Sequence, residues 1–175
     1  MKIVVDEIPE EGGLDAEFSE KEEFVNSFLG GEDGSLVGFA SPVKGSFHLQ
    51  RTGKTVFIDL RIESSLQATC SRCLEDFVSP LHGENHMVLF PEDEAEEDES
   101  EELDEKDYYS GEVIDLGEML AEEAVLLVPY NPVCRKGCRG LCSFCGKNLN
   151  SGDCGCARET IDDRFAILKN FKTKK

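Results

Sequence analysis

The sequence predicts an α+β protein with an antiparallel, β-rich core, a covering helix and a cysteine-rich, metal-bound C-terminal loop. Three observations carry this prediction. Residues 35–90 contain long runs in which apolar and polar side chains alternate. Residues 115–128 repeat apolar side chains at three- and four-residue steps. Residues 134–156 hold six cysteines and five glycines in 23 positions, too few apolar groups for an ordinary core.

The elements follow in chain order. The opening MKIVVDEIPEEGG has no apolar core of the kind a secretion signal needs. Residues 19–30 predict a short helix. Ser19 is placed to cap it, with Glu22 three residues on, an apolar face of Phe24, Val25, Phe28 and Leu29, and Gly30 and Gly31 as the stop. Residues 35–50 predict one or two short strands. Residues 55–70 predict a long one, in which Val56, Ile58, Leu60 and Ile62 face a core and Phe57, Asp59, Arg61 and Glu63 face away. Residues 74–90 predict a returning strand with a break between Pro80 and Gly83, so that Cys70 and Cys73 fall at the turn between two strands. Residues 92–107 carry twelve acids and one lysine and cannot bury enough apolar surface to fold alone; a disordered loop is expected. Asp115 caps the best helix, which Glu118 supports, Leu116, Leu120, Ala124, Leu127 and Val128 face inward, and Pro129 ends. A last helix is expected around Ile161, Phe165, Leu168 and Phe171. The segments then read as 1–91, the acidic loop 92–107 and 108–175, with the first and last sharing one domain.

Charge narrows the function classes. With 37 acids against 18 bases the 175-residue chain has a net charge of −19, yet residues 134–175 carry ten bases and four acids. That pattern argues against a whole-surface nucleic-acid binder, and no DNA is expected as a partner. A local RNA contact stays open, through Arg135, Lys136, Arg139 and Lys147, since residues 134–150 contain no acid. The acidic run suggests the other open class, a non-enzymatic adaptor or holding factor for a basic protein. No stretch is long and apolar enough for a transmembrane helix, so no membrane is expected and the cytoplasm is the expected location. No HExxH, P-loop or GxSxG occurs, and His48, His82 and His86 are expected to be structural or exposed; the chain is not expected to be an enzyme.

The eight cysteines are the chemistry. They fall into pairs: Cys70-Ser-Arg-Cys73, Cys142-Ser-Phe-Cys145 and Cys154-Gly-Cys156, with Cys134 and Cys138 between. Thiolates are soft ligands suited to tetrahedral zinc, and two residues between cysteines let one tight turn aim both sulfurs at one ion. Cys142, Cys145, Cys154 and Cys156 make one complete four-sulfur site. Cys70, Cys73, Cys134 and Cys138 can make a second, although Cys138 can equally join the first. One or two zinc ions are expected. Iron uses the same ligands. Thioredoxin-like redox chemistry needs a helix directly after the CxxC, and none is evident here.

Several of these segments resemble the YceD family, named for accumulation of the large ribosomal RNA subunit. Cys70-Ser-Arg-Cys73-Leu-Glu-Asp-Phe77 is similar to its CxRCLxxF signature. Asp115-Leu116 opens a helix running to Pro129, like the family's central helix. The stretch from Val133 to Asn150 resembles its second signature, Cys154-Gly-Cys156 belongs to the cysteine-rich branch, and Asp163-Arg164-Phe165-Ala-Ile-Leu168 fits its close. The resemblance implies a ribosome-biogenesis role in the accumulation of 23S ribosomal RNA, with the RNA itself or a large-subunit precursor particle as partner.

Overall fold

A computed structural model describes residues 1–30, 37–92 and 107–156. The strands and α-helices in them are β1 (Lys2–Val4), β2 (Leu14–Glu20), α1 (Glu22–Asn26), β3 (Val37–Phe39), β4 (Val43–Thr52), β5 (Thr55–Thr69), β6 (Asp76–Pro91), β7 (Asp107–Tyr109), β8 (Val113–Asp115) and α2 (Leu116–Leu126). The fold is α+β, with a sheet that is antiparallel except at one edge. Strands run in the order β2-β4-β5-β6-β7, β3 adds to β5 beyond the end of β4, and β7 joins β6 in parallel. β1 and β8 form a separate antiparallel pair.

The period-two pattern governs the sheet. Along β5 the buried residues Val56, Ile58, Leu60, Ile62, Leu66 and Ala68 all point the same way. Val43, Phe47 and Leu49 of β4 and Leu81, Met87 and Leu89 of β6 extend that face. The opposite face is polar. Asp15, His48, Asp59 and His86 lie in one cross-strand row, where His48 Nδ1 is 2.7 Å from the Asp15 carboxylate and His86 Nδ1 is 2.5 Å from that of Asp59.

Helix α2 covers the apolar face with Leu116, Leu120, Ala121 and Ala124, all fully buried. Gly45 on β4 leaves room for it: a Cβ there would sit 2.9 Å from both methyls of Leu120. One apolar cluster runs from Ile3 through the sheet to Ala124, so residues on both sides of the acidic run share one core.

The cap of α2 forms as its sequence indicates. Asp115 Oδ1 accepts from Gly117 N at 3.0 Å and Glu118 N at 3.3 Å. Burial works against the Asp115 charge, but those two amides and Lys2 outweigh it and hold the carboxyl below its ordinary value. A carboxyl lowered in the folded state adds stability above its unfolded pKa, and that stability is lost as pH falls through the folded value. Asp115→Ala is therefore expected to lower stability by about 1 kcal/mol at neutral pH. The gap between wild type and variant should close below the usual carboxylate pKa of about 4. Urea midpoints at the two pH values measure it; an equal gap at both would contradict the carboxylate's role.

Three local expectations need correction. Ser19 does not cap a helix; it lies in β2 opposite Lys44, and α1 begins after Lys21 without a side-chain cap. The helical segment is accordingly shorter, five α-helical residues and a 3-10 turn (Ser27–Leu29) that ends at Gly30, φ 62°. Of its predicted apolar face, Val25 is buried while Phe24 is exposed. There is also no break at Pro80: β6 is continuous for 16 residues. Pro80 pairs with Ser65, and β7 reaches only Leu89–Pro91, so among the described residues Pro80 lies on an edge where no neighbour needs its missing N–H. The acidic loop between Glu92 and Asp107 and the helix expected around residues 161–171 lie outside the described residues.

Candidate metal centres

Cys70 to Cys73 form the turn between β5 and β6, the longest strand pair in the sheet. The ladder closes at Thr69 and Asp76, whose side chains bond at 2.6 Å. Beyond it, Cys70 N donates to Glu75 O and Leu74 N to Cys70 O, both at 2.9 Å. The second CxxC repeats this design. Cys142 N donates to Lys147 O and Gly146 N to Cys142 O, again at 2.9 Å, and a bridge between Leu141 and Asn148 closes the turn. Both knuckles thus hold their first cysteine by the same two backbone bonds. Each aims two sulfurs to one side.

Pro129 ends α2, and the chain returns along the first knuckle. Ser71 donates to Pro132 O from its amide at 2.8 Å and from its hydroxyl at 3.0 Å. Arg72 holds the returning segment twice: its carbonyl accepts from Leu141 N at 2.9 Å, and its guanidinium donates to Cys138 O at 3.3 Å. Gly140 permits this approach, with φ 70° and a missing Cβ that would sit 2.9 Å from the Arg72 carbonyl oxygen.

These bonds gather the sulfurs into two groups. Those of Cys70, Cys73, Cys134 and Cys138 lie within 4.8 Å of one another, as do those of Cys142, Cys145, Cys154 and Cys156. Cys138 therefore sits with Cys70 and not with Cys142. The spacing suits a metal. Four sulfurs about 2.3 Å from a tetrahedral centre stand about 3.8 Å apart. Cys73 and Cys134 are separated by 3.8 Å, Cys70 and Cys138 by 3.9 Å. The first group is the more enclosed; in the second, Cys142 is buried and Cys145 exposed.

Thiol acidity gives the same account. Burial raises Cys70, yet backbone N–H groups, led by that of Cys134, bring it down to about 6. Cys138 is lowered chiefly by the Asn150 side chain, whose amide donates to its sulfur at 3.4 Å. Burial raises Cys134, and its neighbours Cys70 and Cys138 add to that. Cys73 is lowered by the Glu75 backbone, but burial and the surrounding sulfurs push it up to about 12. In the second group, backbone N–H groups of Cys145 and Phe144 bring Cys142 down to about 6, while the sulfurs of Cys154 and Cys145 push Cys156 up to about 12. Within each group some thiols ionise readily and the others resist, because adjacent negative charges repel. A divalent cation bound at the centre would supply the charge that lets all four ionise.

Asn150 braces the first centre, and cysteine spacing does not single it out. Its carbonyl oxygen accepts from Arg139 N at 2.9 Å while its amide reaches Cys138. The only signal was its place in the Lys-Asn-Leu-Asn run after the second knuckle.

The four basic candidates are all exposed on this segment. Arg139 pairs with the Asp153 carboxylate, and Lys147 Nζ donates to the Asp153 carbonyl at 3.1 Å. Arg135 and Lys136 make no ion pair among the described residues. Asp153 thus moderates a patch that looked purely basic over residues 134–150.

The fold and site define an α+β sheet protein whose strand turn is tied by cysteines to a second, ribbon-like cysteine module. A family model described as "Large ribosomal RNA subunit accumulation protein YceD" matches residues 58–172, and the chain belongs to that family. Uncharacterized proteins of Mycobacterium bovis and Mycobacterium tuberculosis are 34% identical over 66% of this chain and 61% of theirs. The Arabidopsis thaliana protein named "Large ribosomal RNA subunit accumulation protein YCED homolog 1, chloroplastic" is 25% identical over 75% of this chain and 49% of its own. The chain thus matches less than two thirds of the length of these relatives. No solved structure matches.

Proposed function

We propose that the protein is a ribosome-biogenesis factor that supports accumulation of 23S ribosomal RNA, contacting that RNA or a large-subunit precursor through a zinc-stabilised basic surface. The observation that carries the reading is the basic segment 134–150, which meets the turn at the end of the sheet through one four-sulfur group and carries two cysteines of the second. The family name, shared with the chloroplast relative, supports the RNA connection. Family membership makes it a non-catalytic accessory factor. All-sulfur donor sets with two-residue knuckles favour zinc in a closed, structural role, one ion in each group. Eight thiols with no disulfide pairing suit a reducing compartment, and we place the protein in the cytoplasm. No helix among the described residues is long and apolar enough to cross a membrane.

The zinc ions do no chemistry on the RNA in this reading. Zinc holds residues 133–156 in one shape, and Arg135, Lys136, Arg139 and Lys147 meet phosphates. Replacing Arg135, Lys136 and Arg139 together with alanine is expected to weaken binding to large-subunit RNA. It should also reduce the slope of log affinity against log salt by about two, since each phosphate left unneutralised lowers the slope by nearly one. The decrement is below three because Asp153 already occupies Arg139. Filter binding across a salt series reads both quantities; equal affinity with an equal slope would remove this surface from the function.

The run of twelve acids in residues 92–107 favours a second reading, an adaptor for a basic ribosomal protein. Affinity capture at high salt separates the two: large-subunit RNA without a stoichiometric basic protein supports the first, and the reverse supports the second.

A further inference from the structure

We infer that the metal-held surface selects unpaired RNA, and that the Phe144 ring is the platform on which a base stacks. This rests on the RNA reading above and specifies its ligand.

The inference starts from the likeness of the two knuckles. Their shared backbone bonds make Arg72 and Phe144 equivalent positions, each the residue before the second cysteine of its pair. Their side chains behave differently. Arg72 is used by the fold, its guanidinium bonded to Cys138 O. Phe144 is 56% exposed and has no ring partner among the described residues. A polar side chain would fill a solvent-facing knuckle tip at lower cost, because phenylalanine has no polar group to offer water.

The mount and the charge around it decide what the ring can meet. Cys142 and Cys145 flank Phe144 within one four-sulfur group, so its backbone is held from both sides. A ring presented on a fixed backbone loses little entropy on binding. Arg135 and Lys136 share the segment and make no ion pair among the described residues, while Arg139 and Lys147 are engaged by Asp153. Cations beside an exposed aromatic ring are the usual equipment for single strands, where phosphates supply attraction and an unstacked base supplies a π-face. Paired bases keep their faces inside the helix and give the ring nothing to cover. The outer face of the sheet is a poorer site: Asp15, Glu17, Asp59, Glu63 and Glu84 outnumber Lys44 and Arg61 on it, and Arg61 is already paired with Glu84 at 3.1 Å.

The test uses the whole metal-loaded chain, with a short unstructured oligouridylate and a blunt-ended RNA duplex of the same length as probes. Wild type is expected to prefer the oligouridylate. Phe144→Ala should weaken that binding about tenfold, the scale of a single base stack, and leave duplex affinity and both salt slopes unchanged. Phe144→Trp should retain the affinity. The chain has no tryptophan, so the introduced indole reports alone, and its emission should be quenched by oligouridylate and not by the duplex. If Phe144→Ala lowers metal content, Phe144→Leu replaces it, apolar but without a π-face. Unchanged oligouridylate affinity in the alanine or leucine variant, with RNA binding intact, overturns this inference alone. So does weaker binding of a ribosomal protein with RNA affinity preserved. Wild type that binds neither probe at low salt overturns the RNA reading as well.

Discussion

Cys138→Ser is expected to detach residues 133–156 from the sheet, whereas Cys145→Ser should leave them attached. Both variants should lose one metal ion of two by native mass spectrometry. The difference lies in what each ion closes. The first group joins cysteines far apart in the chain: 68 residues separate Cys70 from Cys138, and 61 separate Cys73 from Cys134. The second is local, with its four cysteines between positions 142 and 156. Losing the first ion therefore frees a long loop, and nothing then offsets the entropy gained when its ends separate. It also exposes a buried site with few apolar neighbours, among them Phe77, Val133 and Leu141. A structural zinc site supplies about 10–16 kcal/mol, as large as the whole stability of a typical domain. The Leu141 amide reports the outcome, since it bonds to the Arg72 carbonyl across the junction. Its hydrogen exchange should approach the unprotected rate in Cys138→Ser and stay slow in Cys145→Ser, while β5 amides stay protected in both. Equal protection of Leu141 in the two variants would show that the first ion does not hold the junction.

The parts of this protein that are legible in its sequence are those set by near neighbours in the chain. The alternation of Val56, Ile58, Leu60 and Ile62 needs only a strand with one dry face. The cap by Asp115 needs only the amides of the next turn. The two-residue gap in each CxxC fixes a knuckle whatever surrounds it. Failures came where a distant segment decided. Ser19 has the right spacing to Glu22 for a helix cap, but pairing with Lys44 draws it into β2. Pro80 and Gly83 look like a break, yet the break is unnecessary on an edge, and Gly83 instead leaves space for the Leu127 side chain. β7 is three residues long and pairs in parallel, a geometry that leaves no local periodicity to find. The partner of Cys138 stayed open for the same reason. Its choice depends on Arg72, Gly140 and Asn150, and none of these interactions follows from cysteine spacing.

The covering helix offers the second large effect, a pair of core substitutions that should partly cancel. Leu120 is fully buried at the centre of α2, and Phe47 beneath it is 2% exposed. Leu120→Ala removes apolar packing and leaves a cavity, at an expected cost of about 2–5 kcal/mol. Gly45→Ala has the opposite fault. Its new Cβ would lie 2.7 Å from the Phe47 ring and 2.9 Å from the Leu120 methyls, and neither side chain has solvent to move into. Overpacking of this kind costs about 1–3 kcal/mol. The backbone does not add to that cost, since Gly45 is in a regular strand with no positive φ. In the double variant the Leu120 half of the clash is gone, the Phe47 ring gains vacated space to shift into, and the cavity shrinks. The double variant should then be more stable than the sum of the singles by about 0.5–3 kcal/mol, the range found for side chains that touch directly. Urea unfolding of the metal-loaded proteins measures the cycle. Metal content should be the same in all four, because the apolar core and the first cysteine group are separate clusters. Strict additivity would mean that α2 does not rest on Gly45. Loss of metal in Leu120→Ala would mean that the sheet core and the cysteine module unfold as one unit.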